Sequence, residues 1–210
     1  MYLLFDFDGT LVDSLNCVIE KAILLSKTYN FKTISDKEIE TLKELSTKEL
    51  IQSLHIPLYQ IPTLIRQMRR HLKNEMPNLE PAAHILPVIE SLHLAQFSLG
   101  ILTSNSIDNV SSWLKTHDVA HFFDFIHTES QFLSKRRLLK KTIKSYQIDK
   151  TRTFYIGDET RDIEAAKKNK IKSIAVTWGY HSEQLLVKHQ PEFIARHPDD
   201  LLKICAEHQR

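Results

Sequence analysis

The sequence of 210 residues contains little cysteine and shows no pairing pattern in the cysteine that it has. Cys17 and Cys205 lie far apart along the chain and form no CxxC motif. This usage excludes a disulfide framework and favours a reducing compartment. The chain starts directly with a short apolar run and acidic residues, which is not the pattern of a signal peptide. We therefore predict a cytoplasmic protein.

Excess charge and long apolar runs are also lacking. The formal net charge is +2, and no strongly basic balance points to a nucleic-acid partner. No apolar run approaches the about 20 residues needed to cross a bilayer, so no membrane partner is expected. Hydrophobic residues make up 42% of the chain, which is enough for a packed core. The length allows one domain or a core with a modest insertion, and a monomer is the default expectation.

Two closely spaced acidic residues follow the first apolar run of the chain. The run from Tyr2 to Phe5 is typical of a strand buried on both faces, and Asp6 and Asp8 come directly after it. Strand alternation places both carboxylates on one side, unless the chain already turns at Gly9. Carboxylates this close repel each other and require a cation or a shared proton. The cation interpretation favours Mg²⁺, which prefers oxygen ligands. The alternative is a strand end with two solvated carboxylates.

The pattern of the chain changes near residue 80. Residues 15–80 show helical periodicity and no strand signal, which predicts a compact helical insertion after the first strand. Beyond it, strands alternate with helices, and this favours an α/β fold with a Rossmann-like parallel sheet covered by helices on both faces. The predicted strands after the first are 97–102, 124–127, 153–156, 172–177 and 193–195. The predicted domains are therefore a core, 1–14 and 81–210, and the helical insertion, 15–80.

Polar residues follow the second predicted strand, at the strand end where ligands bind in open α/β sheets. Thr103, Ser104 and Asn105 stand at this point, at the start of a helix predicted from residue 105 to residue 117. A hydroxyl group there can bind a phosphoryl oxygen, assisted by amides at the helix N-terminus. The alternative is that Thr103 and Ser104 only cap the helix.

A basic cluster precedes the amphipathic helix predicted at 138–146. Lys135 is followed directly by Arg136 and Arg137. A lysine at this position can neutralise both a nucleophilic carboxylate and a transferring phosphoryl group. The neighbouring arginines leave open which basic residue takes that role.

A second acidic pair follows the fourth predicted strand. Asp158 and Asp162 are spaced i,i+4, so an early helical turn places both on one face. This pair can hold a Mg²⁺ ion beside Asp6. The alternative is a helix start whose acidic residues are favoured by the helix dipole, and Glu159 fits that role.

Taken in order, these four sites resemble the motifs of the haloacid dehalogenase superfamily. The stretch DFDGT resembles motif I of its phosphatases, which implies Asp6 as the nucleophile and Asp8 as the general acid and base. Thr103 resembles the hydroxyl residue of motif II, Lys135 the lysine of motif III, and GDETRD the acidic motif IV. The implied phosphate-binding residues are Thr103, Ser104, Asn105 and Lys135. The implied Mg²⁺ ligands are Asp6, Asp8 through its backbone carbonyl, Asp158 and Asp162.

The resemblance covers nearly the whole chain. The insertion 15–80 resembles the helical C1 cap of subfamily I, and residues 170–179 resemble phosphoglycolate-phosphatase-like members. The implied function is Mg²⁺-dependent hydrolysis of a small phosphorylated metabolite through an aspartyl-phosphate. By the same resemblance, the cap loop with Lys43, Glu44 and Ser46 faces the substrate. The alternative is an exposed turn in which Ser46 caps its helix.

Two other functions are compatible with this family. A phosphosugar mutase of the same fold carries Arg-Leu-Lys-Gly in its cap loop, whereas residues 41–44 read Thr-Leu-Lys-Glu here, and the missing arginine disfavours a mutase. A non-catalytic phospho-ligand sensor would be indicated by loss of Asp6 or Asp8, and both are present. One departure from the family pattern concerns the exit from the cap, where Ala83-His84 replaces the frequent Pro-Gly.

Overall fold

The computed structural model describes residues 1–128 and 135–208. The strands in this part of the chain are β1 (Tyr2–Phe5), β2 (Ser98–Thr103), β3 (Phe125–Thr128), β4 (Thr153–Gly157), β5 (Lys172–Val176) and β6 (Phe193–Ala195). The α-helices are α1 (Leu15–Tyr29), α2 (Ile39–Lys43), α3 (Thr47–Ser53), α4 (Ile61–Glu75), α5 (Ile85–Leu94), α6 (Ile107–Thr116), α7 (Lys135–Ser145), α8 (Thr160–Asn169), α9 (Glu183–Lys188) and α10 (Asp199–Glu207).

The strands form one parallel sheet in the order β3-β2-β1-β4-β5-β6. Strand β1 therefore lies between β2 and β4, and Leu4 pairs with Gly100 on one side and Tyr155 on the other. The central residues of β1 are fully buried, as expected for a parallel sheet covered on both faces. The predicted α/β class with a parallel sheet is confirmed.

Successive residues of β1 contribute to separate apolar clusters on the two faces of the sheet. Leu3 and Phe5 pack in a cluster that includes buried side chains of α5, α6 and α10. Leu4 packs in a second cluster with residues of α7 and α8. This alternation follows from the period of two along a strand. The sheet is consequently covered by helices on both faces, and its carboxyl edge is left for polar groups.

The segment between β1 and β2 is helical in the described structure, as predicted. The two predicted capping boxes are present, Ser35 with Glu38 and Ser46 with Glu49, and they open a short 3-10 turn and helix α3. Helix α4 begins at Ile61, two residues earlier than the sequence predicts. The prediction treated Pro62 as a connector, but proline is tolerated in the first helical turn, where its missing amide has no partner to lose.

The chain enters and leaves this helical segment through two stretches of backbone that lie side by side. Val12 and Pro81 form an antiparallel bridge. The amide of Asp13 donates to the Glu80 carbonyl at 3.0 Å, and the amide of Ala82 donates to the Leu11 carbonyl at 2.9 Å. Both connections therefore leave the sheet at the same point.

The exit continues into α5 through a residue in the left-handed region, His84 with φ of 62°. This conformation favours glycine, so His84 adopts a backbone conformation that is more common for glycine.

Several element boundaries differ from the prediction in ways that affect the site. Strand β2 extends to Thr103, which is thus its last residue. Helix α6 begins only at Ile107, with Ser106 as its N-cap. Helix α9 was not predicted, because its six residues are too few to show a helical period. No helix in the two described ranges is long and apolar enough to cross a membrane.

Candidate active site

The carboxyl ends of β1, β2 and β4 and the start of α7 bring the sequence motifs together. The register pairs Phe5 with Ile101 and with Ile156, so the residues that follow these strands are neighbours. The amide of Asp6 still donates to the Ile156 carbonyl at 2.8 Å, which fixes the first acidic residue to the sheet. The predicted placement of the motifs at one edge is therefore what the structure shows.

Three buried carboxylates meet at this edge. Asp6, Asp158 and Asp162 each offer an oxygen, and these oxygens all lie within 4.8 Å of one another. Burial raises the pKa of Asp6 to about 7, although Lys135 lowers it in part. Burial, together with the charge of Glu159, raises the pKa of Asp158 well above its ordinary value. The protein surrounds this cluster with more negative charge than it neutralises, which is the environment of a cation site.

The loop after β1 holds Asp158 in place. The Thr10 hydroxyl donates to Asp158 Oδ1 at 2.9 Å, and the Tyr180 amide donates to Oδ2 at 2.7 Å. Gly9 has φ of 77°, and a Cβ atom there would collide with the Asp158 carboxylate. Glycine is therefore required at position 9 both by its left-handed backbone and by the close approach of Asp158.

The structure selects one basic residue from the cluster that the sequence left open. Lys135 is buried, and its Nζ donates to Asp6 Oδ2 and, at 2.5 Å, to Asp162 Oδ1. Arg136 and Arg137 are exposed. Burial lowers the pKa of Lys135, but the Asp162 and Asp6 carboxylates outweigh it, and the net pKa is raised. The ammonium group thus stays charged beside Asp6.

Asp8 lies apart from the carboxylate cluster and is held by Asn105. The Asn105 side-chain amide donates to Asp8 Oδ1 at 3.2 Å and to Oδ2 at 3.1 Å. Part of Asp8 remains accessible, but its surroundings are mostly protein, and this desolvation raises its pKa while the Asn105 hydrogen bond lowers it. A carboxyl group with a raised pKa is suited to carry a proton. Asn105, predicted as a phosphate ligand, here orients Asp8.

Thr103 and Ser104 do not cap the following helix. Ser106 does so, because its hydroxyl accepts from the Asn109 amide at 3.2 Å. The Thr103 side chain is fully buried, and its hydroxyl accepts from the Asn105 amide at 2.9 Å. The Ser104 carbonyl accepts a hydrogen bond from the Arg69 guanidinium of α4. The capping alternative for this motif is thus wrong, and its phosphate-binding role stays a prediction.

The predicted substrate contacts Lys43, Glu44 and Ser46 lie in different surroundings in the helical segment. Lys43 pairs with Glu40 at 2.9 Å, and its backbone carbonyl accepts from the Ser182 amide at 3.1 Å, so this part of the segment contacts the core. Glu44 is partly buried at the end of α2. The Ser46 hydroxyl belongs to the capping box of α3. The contact of these three residues with substrate remains a prediction.

Four residues beside the site were not predicted from the sequence as functional. Arg161 donates from Nε to Glu159 Oε1 at 2.9 Å. Burial raises the pKa of Glu159, but Arg161 and Lys135 outweigh it and hold it at about 2. His181 Nδ1 accepts from the Thr160 amide at 3.0 Å. Glu159 was interpreted only as a dipole partner, and that interpretation missed its buried ion pair.

Tyr180 is the fourth of these residues. Its hydroxyl is 2.8 Å from the Ser14 hydroxyl, where the chain enters the helical segment. Tyr180 and His181 follow β5, whose carboxyl end lies at the same edge as the four motifs. Ligands bind at the carboxyl ends of the strands in open α/β sheets, so the same rule that located the motifs also indicates the loop after β5.

Comparison with known proteins identifies the class to which this fold and site belong. The family model described as haloacid dehalogenase-like hydrolase matches residues 3–176. A phosphoglycolate phosphatase of Synechococcus elongatus is 30% identical over 208 residues, covering 99% of this chain and 98% of that protein. A pyrophosphatase PpaX of Halalkalibacterium halodurans is 24% identical over 206 residues, covering 96% and 94%. The crystal structure of a predicted phosphatase from Clostridium acetobutylicum matches with a TM-score of 0.85 at 24% identity, covering 98% of each chain.

The chain belongs to the haloacid dehalogenase-like hydrolases. The phosphoglycolate-phosphatase-like resemblance of the sequence is confirmed by these relatives, and with it the prediction of a phosphatase. The structural match carries the same fold over nearly the full length of both chains. The name of each relative states the substrate of that relative alone.

Proposed function

We propose that this phosphatase hydrolyses the phosphate monoester of a small metabolite, with Asp6 as nucleophile and Mg²⁺ as cofactor. The observation that carries the proposal is the buried contact of Lys135 with Asp6 and Asp162 at the carboxyl edge of the sheet. It joins a carboxylate nucleophile, a fixed positive charge and an acidic cluster at one place. Phosphoryl transfer depends mainly on such positioning and charge stabilisation.

The residues present fit a magnesium ion. The cluster of Asp6, Asp158 and Asp162 offers only oxygen atoms, and burial raises the pKa of Asp6 and of Asp158 because it disfavours their charged forms. Mg²⁺ prefers such hard oxygen ligands next to phosphate, and no softer ligand belongs to this cluster. We expect Asp6, Asp158, the Asp8 carbonyl and Asp162 to form its surroundings. When bound, the ion supplies positive charge to the phosphoryl oxygens.

The reaction follows from the positions of the two N-terminal carboxylates. A carboxylate oxygen of Asp6 forms a bond to phosphorus while the ester P–O bond breaks. The Asp8 carboxyl group gives its proton to the departing alcohol oxygen. Asp8 then takes a proton from water, the water oxygen attacks phosphorus, and the Asp6 carboxylate leaves. The products are the alcohol and inorganic phosphate, and both carboxyl groups are restored.

The remaining residues hold charge and geometry during these steps. Lys135 faces Asp6 and is placed to neutralise the phosphoryl oxygens as they approach the nucleophile. We propose that Thr103 donates its hydroxyl to one of these oxygens. Asn105 keeps the Asp8 carboxyl group oriented through hydrogen bonds to both of its oxygens. We propose that Ser104, whose carbonyl accepts a hydrogen bond from Arg69, also contributes to phosphate binding.

We propose that residues 15–80 form a cap over a core of residues 1–14 and 81–210. The adjacent connections at Val12 and Pro81 give this segment a single base from which to move. Its contacts with the core include the Lys43 carbonyl with the Ser182 amide, Thr47 with Glu159 at 3.4 Å, and Arg69 with Ser104. Closure of a cap excludes water during phosphoryl transfer. Mutase and sensor functions remain the alternatives to be tested.

The direct test is phosphate release from p-nitrophenyl phosphate, phosphoglycolate and pyrophosphate. We expect turnover that is lost in EDTA, restored by Mg²⁺ and not restored by Ca²⁺, whose larger coordination number disturbs in-line geometry. Turnover unchanged in EDTA would contradict the metal assignment, and failure to release phosphate from any ester would favour the sensor. Chromatography should show a monomer, and the proposed location is the cytoplasm.

A further inference from the structure

The helical segment encloses an apolar cavity that the phosphatase chemistry does not use. The cavity measures about 300 Å³ and is lined by side chains from α1, α2, α3 and α4. Its lining is dominated by aliphatic residues, among them Val18, Ile19, Ala22, Leu50, Ile51 and Leu64. Protein interiors are close-packed, and a void costs stability in proportion to its volume. A cavity of this size and polarity has the properties of a small-molecule site.

One end of the cavity reaches the catalytic edge of the sheet. Tyr180 lines the cavity, and its amide donates to Asp158 at 2.7 Å. The Tyr180 ring is also in close contact with Gly9, because a Cβ atom on Gly9 would approach it to 2.8 Å. Glu159 and Arg161 line the same end. The cavity therefore adjoins residues that contact Asp158 and the loop after β1.

The charged residues that line the cavity already have partners. Arg161 is paired with Glu159, and Lys43 is paired with Glu40. The opposite part of the cavity is formed by apolar side chains such as Leu25, Ile34 and Leu54. A leaving group with a carboxylate would lose its hydration there without a matching cation, which is costly. An alkyl group would be stabilised by the same surroundings.

We propose that the preferred substrate is a phosphate monoester of an apolar, medium-chain alcohol, with the alkyl group in this cavity. The inference rests on the proposed function, since it places the phosphoryl group at Asp6. A cavity of about 300 Å³ is at the lower end of the range for small-molecule sites, which fits one short alkyl chain. The chain length is therefore in the range of octanol and short isoprenoid alcohols, and differs from the anionic glycolate group.

The surface of the helical segment fits an amphiphilic ligand. Ile56 and Ile61 line the cavity, and the turn between them exposes Leu58 and Tyr59 at 77% and 80% of their surface. Exposed apolar side chains that adjoin a cavity can form part of a contact surface for an apolar molecule. They provide an apolar approach next to the cavity wall.

The test compares methyl, butyl, octyl and hexadecyl phosphate with phosphoglycolate. Each buried methylene contributes about 4-fold, so kcat/KM should rise roughly 250-fold from butyl to octyl phosphate and then level off. A flat dependence on chain length, with phosphate still released, would overturn the cavity proposal and leave the phosphatase intact. A higher kcat/KM for phosphoglycolate than for octyl phosphate would also overturn it.

Two variants connect this preference to the cavity. Ala22→Phe should fill the cavity and lower the octyl-to-methyl ratio of kcat/KM by at least tenfold. Leu50→Ala should enlarge it and shift the preferred chain toward decyl phosphate. Thr28→Phe places the same ring on an exposed position of α1 and should leave the ratio unchanged. A ratio that is equal in the Ala22→Phe, Leu50→Ala and Thr28→Phe proteins would show that the cavity is only the interior of the cap and overturn the proposal.

Binding separates this proposal from the phosphatase chemistry. Octylphosphonate and methylphosphonate cannot be hydrolysed by attack on an ester, and their affinities can be measured by calorimetry with Mg²⁺ present. Octylphosphonate should bind at least 100-fold more tightly than methylphosphonate. If it does so while no ester is hydrolysed, the proposed function fails and the cavity proposal stands. Equal affinities would overturn the cavity proposal even in an active enzyme.

Discussion

The carboxyl edge of the sheet and the helical segment above it differ in the side chains that they bury. At the edge, buried charges face one another, as in the contact of Lys135 with Asp6 and Asp162. The helical segment instead encloses an apolar cavity whose wall includes Ile19 and Leu50. Charged groups set up the chemistry of phosphate, whereas shape and apolar area discriminate between leaving groups. Changes at the edge should thus affect all substrates alike, and changes in the segment should affect them selectively.

The largest effect is expected from the nucleophile. Asp6→Asn should lower kcat for every phosphate ester by at least about 1,000-fold, because an amide cannot form the aspartyl-phosphate. The measurement is phosphate release from p-nitrophenyl phosphate and from an alkyl phosphate, with circular dichroism as the folding control. Asp124→Asn, at an exposed position away from the site, is the matched variant and should stay within a few-fold of wild type. Activity of Asp6→Asn at that level would show that Asp6 is not the nucleophile.

The second effect concerns Lys135. Lys135→Met should reduce kcat by about 100-fold or more, since one fixed positive charge is lost from the transition state. The metal-free variant should also lose about 3 kcal/mol of unfolding free energy, because Asp6 and Asp162 are left buried without their cation. Urea denaturation in EDTA measures this loss. Arg136→Met is the control. Equal effects of the two substitutions would show that the whole basic cluster, and not Lys135 alone, supplies the positive charge.

The third effect is a dependence of stability on pH in the absence of metal. The pKa of Asp6 rises from 3.8 to about 7 on folding, and burial moves Asp8 and Asp158 in the same direction. A raised folded pKa gives stability that is present below the unfolded pKa and is lost as pH rises through the folded value. The Tm in EDTA should therefore fall between pH 5 and pH 8.

Magnesium should offset this loss, because it binds the ionised carboxylates. The difference in Tm between Mg²⁺ and EDTA should grow with pH over the same range. Asp158→Asn removes one of the carboxyl groups with a raised pKa and should make the metal-free slope shallower. A Tm in EDTA that stays level from pH 5 to pH 8 would show that ionisation of the buried carboxyl groups does not destabilise the metal-free protein.

The smallest effect belongs to the cap loop. Lys43 lines the cavity, so Lys43→Ala should lower kcat/KM for the preferred ester by up to about tenfold and have less effect on p-nitrophenyl phosphate. Glu44→Ala tests the second predicted contact and should have a smaller effect, because Glu44 is not among the residues that line the cavity in the described structure. Equal losses on both esters for Lys43→Ala would mean that the loop does not contact the leaving group.

The catalytic edge was largely predictable from the sequence. Its residues follow strands directly, and the carboxyl ends of parallel strands meet at one edge, so Asp6, Thr103 and Asp158 could be brought together without coordinates. The resemblance to motif III predicted Lys135, but spacing alone could not separate it from Arg136, because adjacent residues differ only in the direction that the first turn of α7 gives them. The interaction of Asn105 with Asp8 was missed for a similar reason, since it depends on where a side-chain amide points.

The helical segment was predictable only as a set of helices. Its capping boxes at Ser35 and Ser46 could be read from local spacing, because they depend on residues three apart. The cavity could not, since it depends on how four helices pack and on which apolar side chains fall short of filling the space between them. An apolar residue such as Ala22 has the same sequence signature in a filled core and in a cavity wall.

The most direct test of the proposed mechanism is to identify the residue that becomes phosphorylated during turnover. The enzyme is mixed with excess substrate and Mg²⁺, quenched in acid within the first turnover, digested and mapped by mass spectrometry. The proposed mechanism predicts one phosphoryl group on Asp6, present in the wild type and absent from Asp6→Asn. A phosphoryl group on any other residue, or turnover with no phosphorylated peptide at any time point, would contradict it.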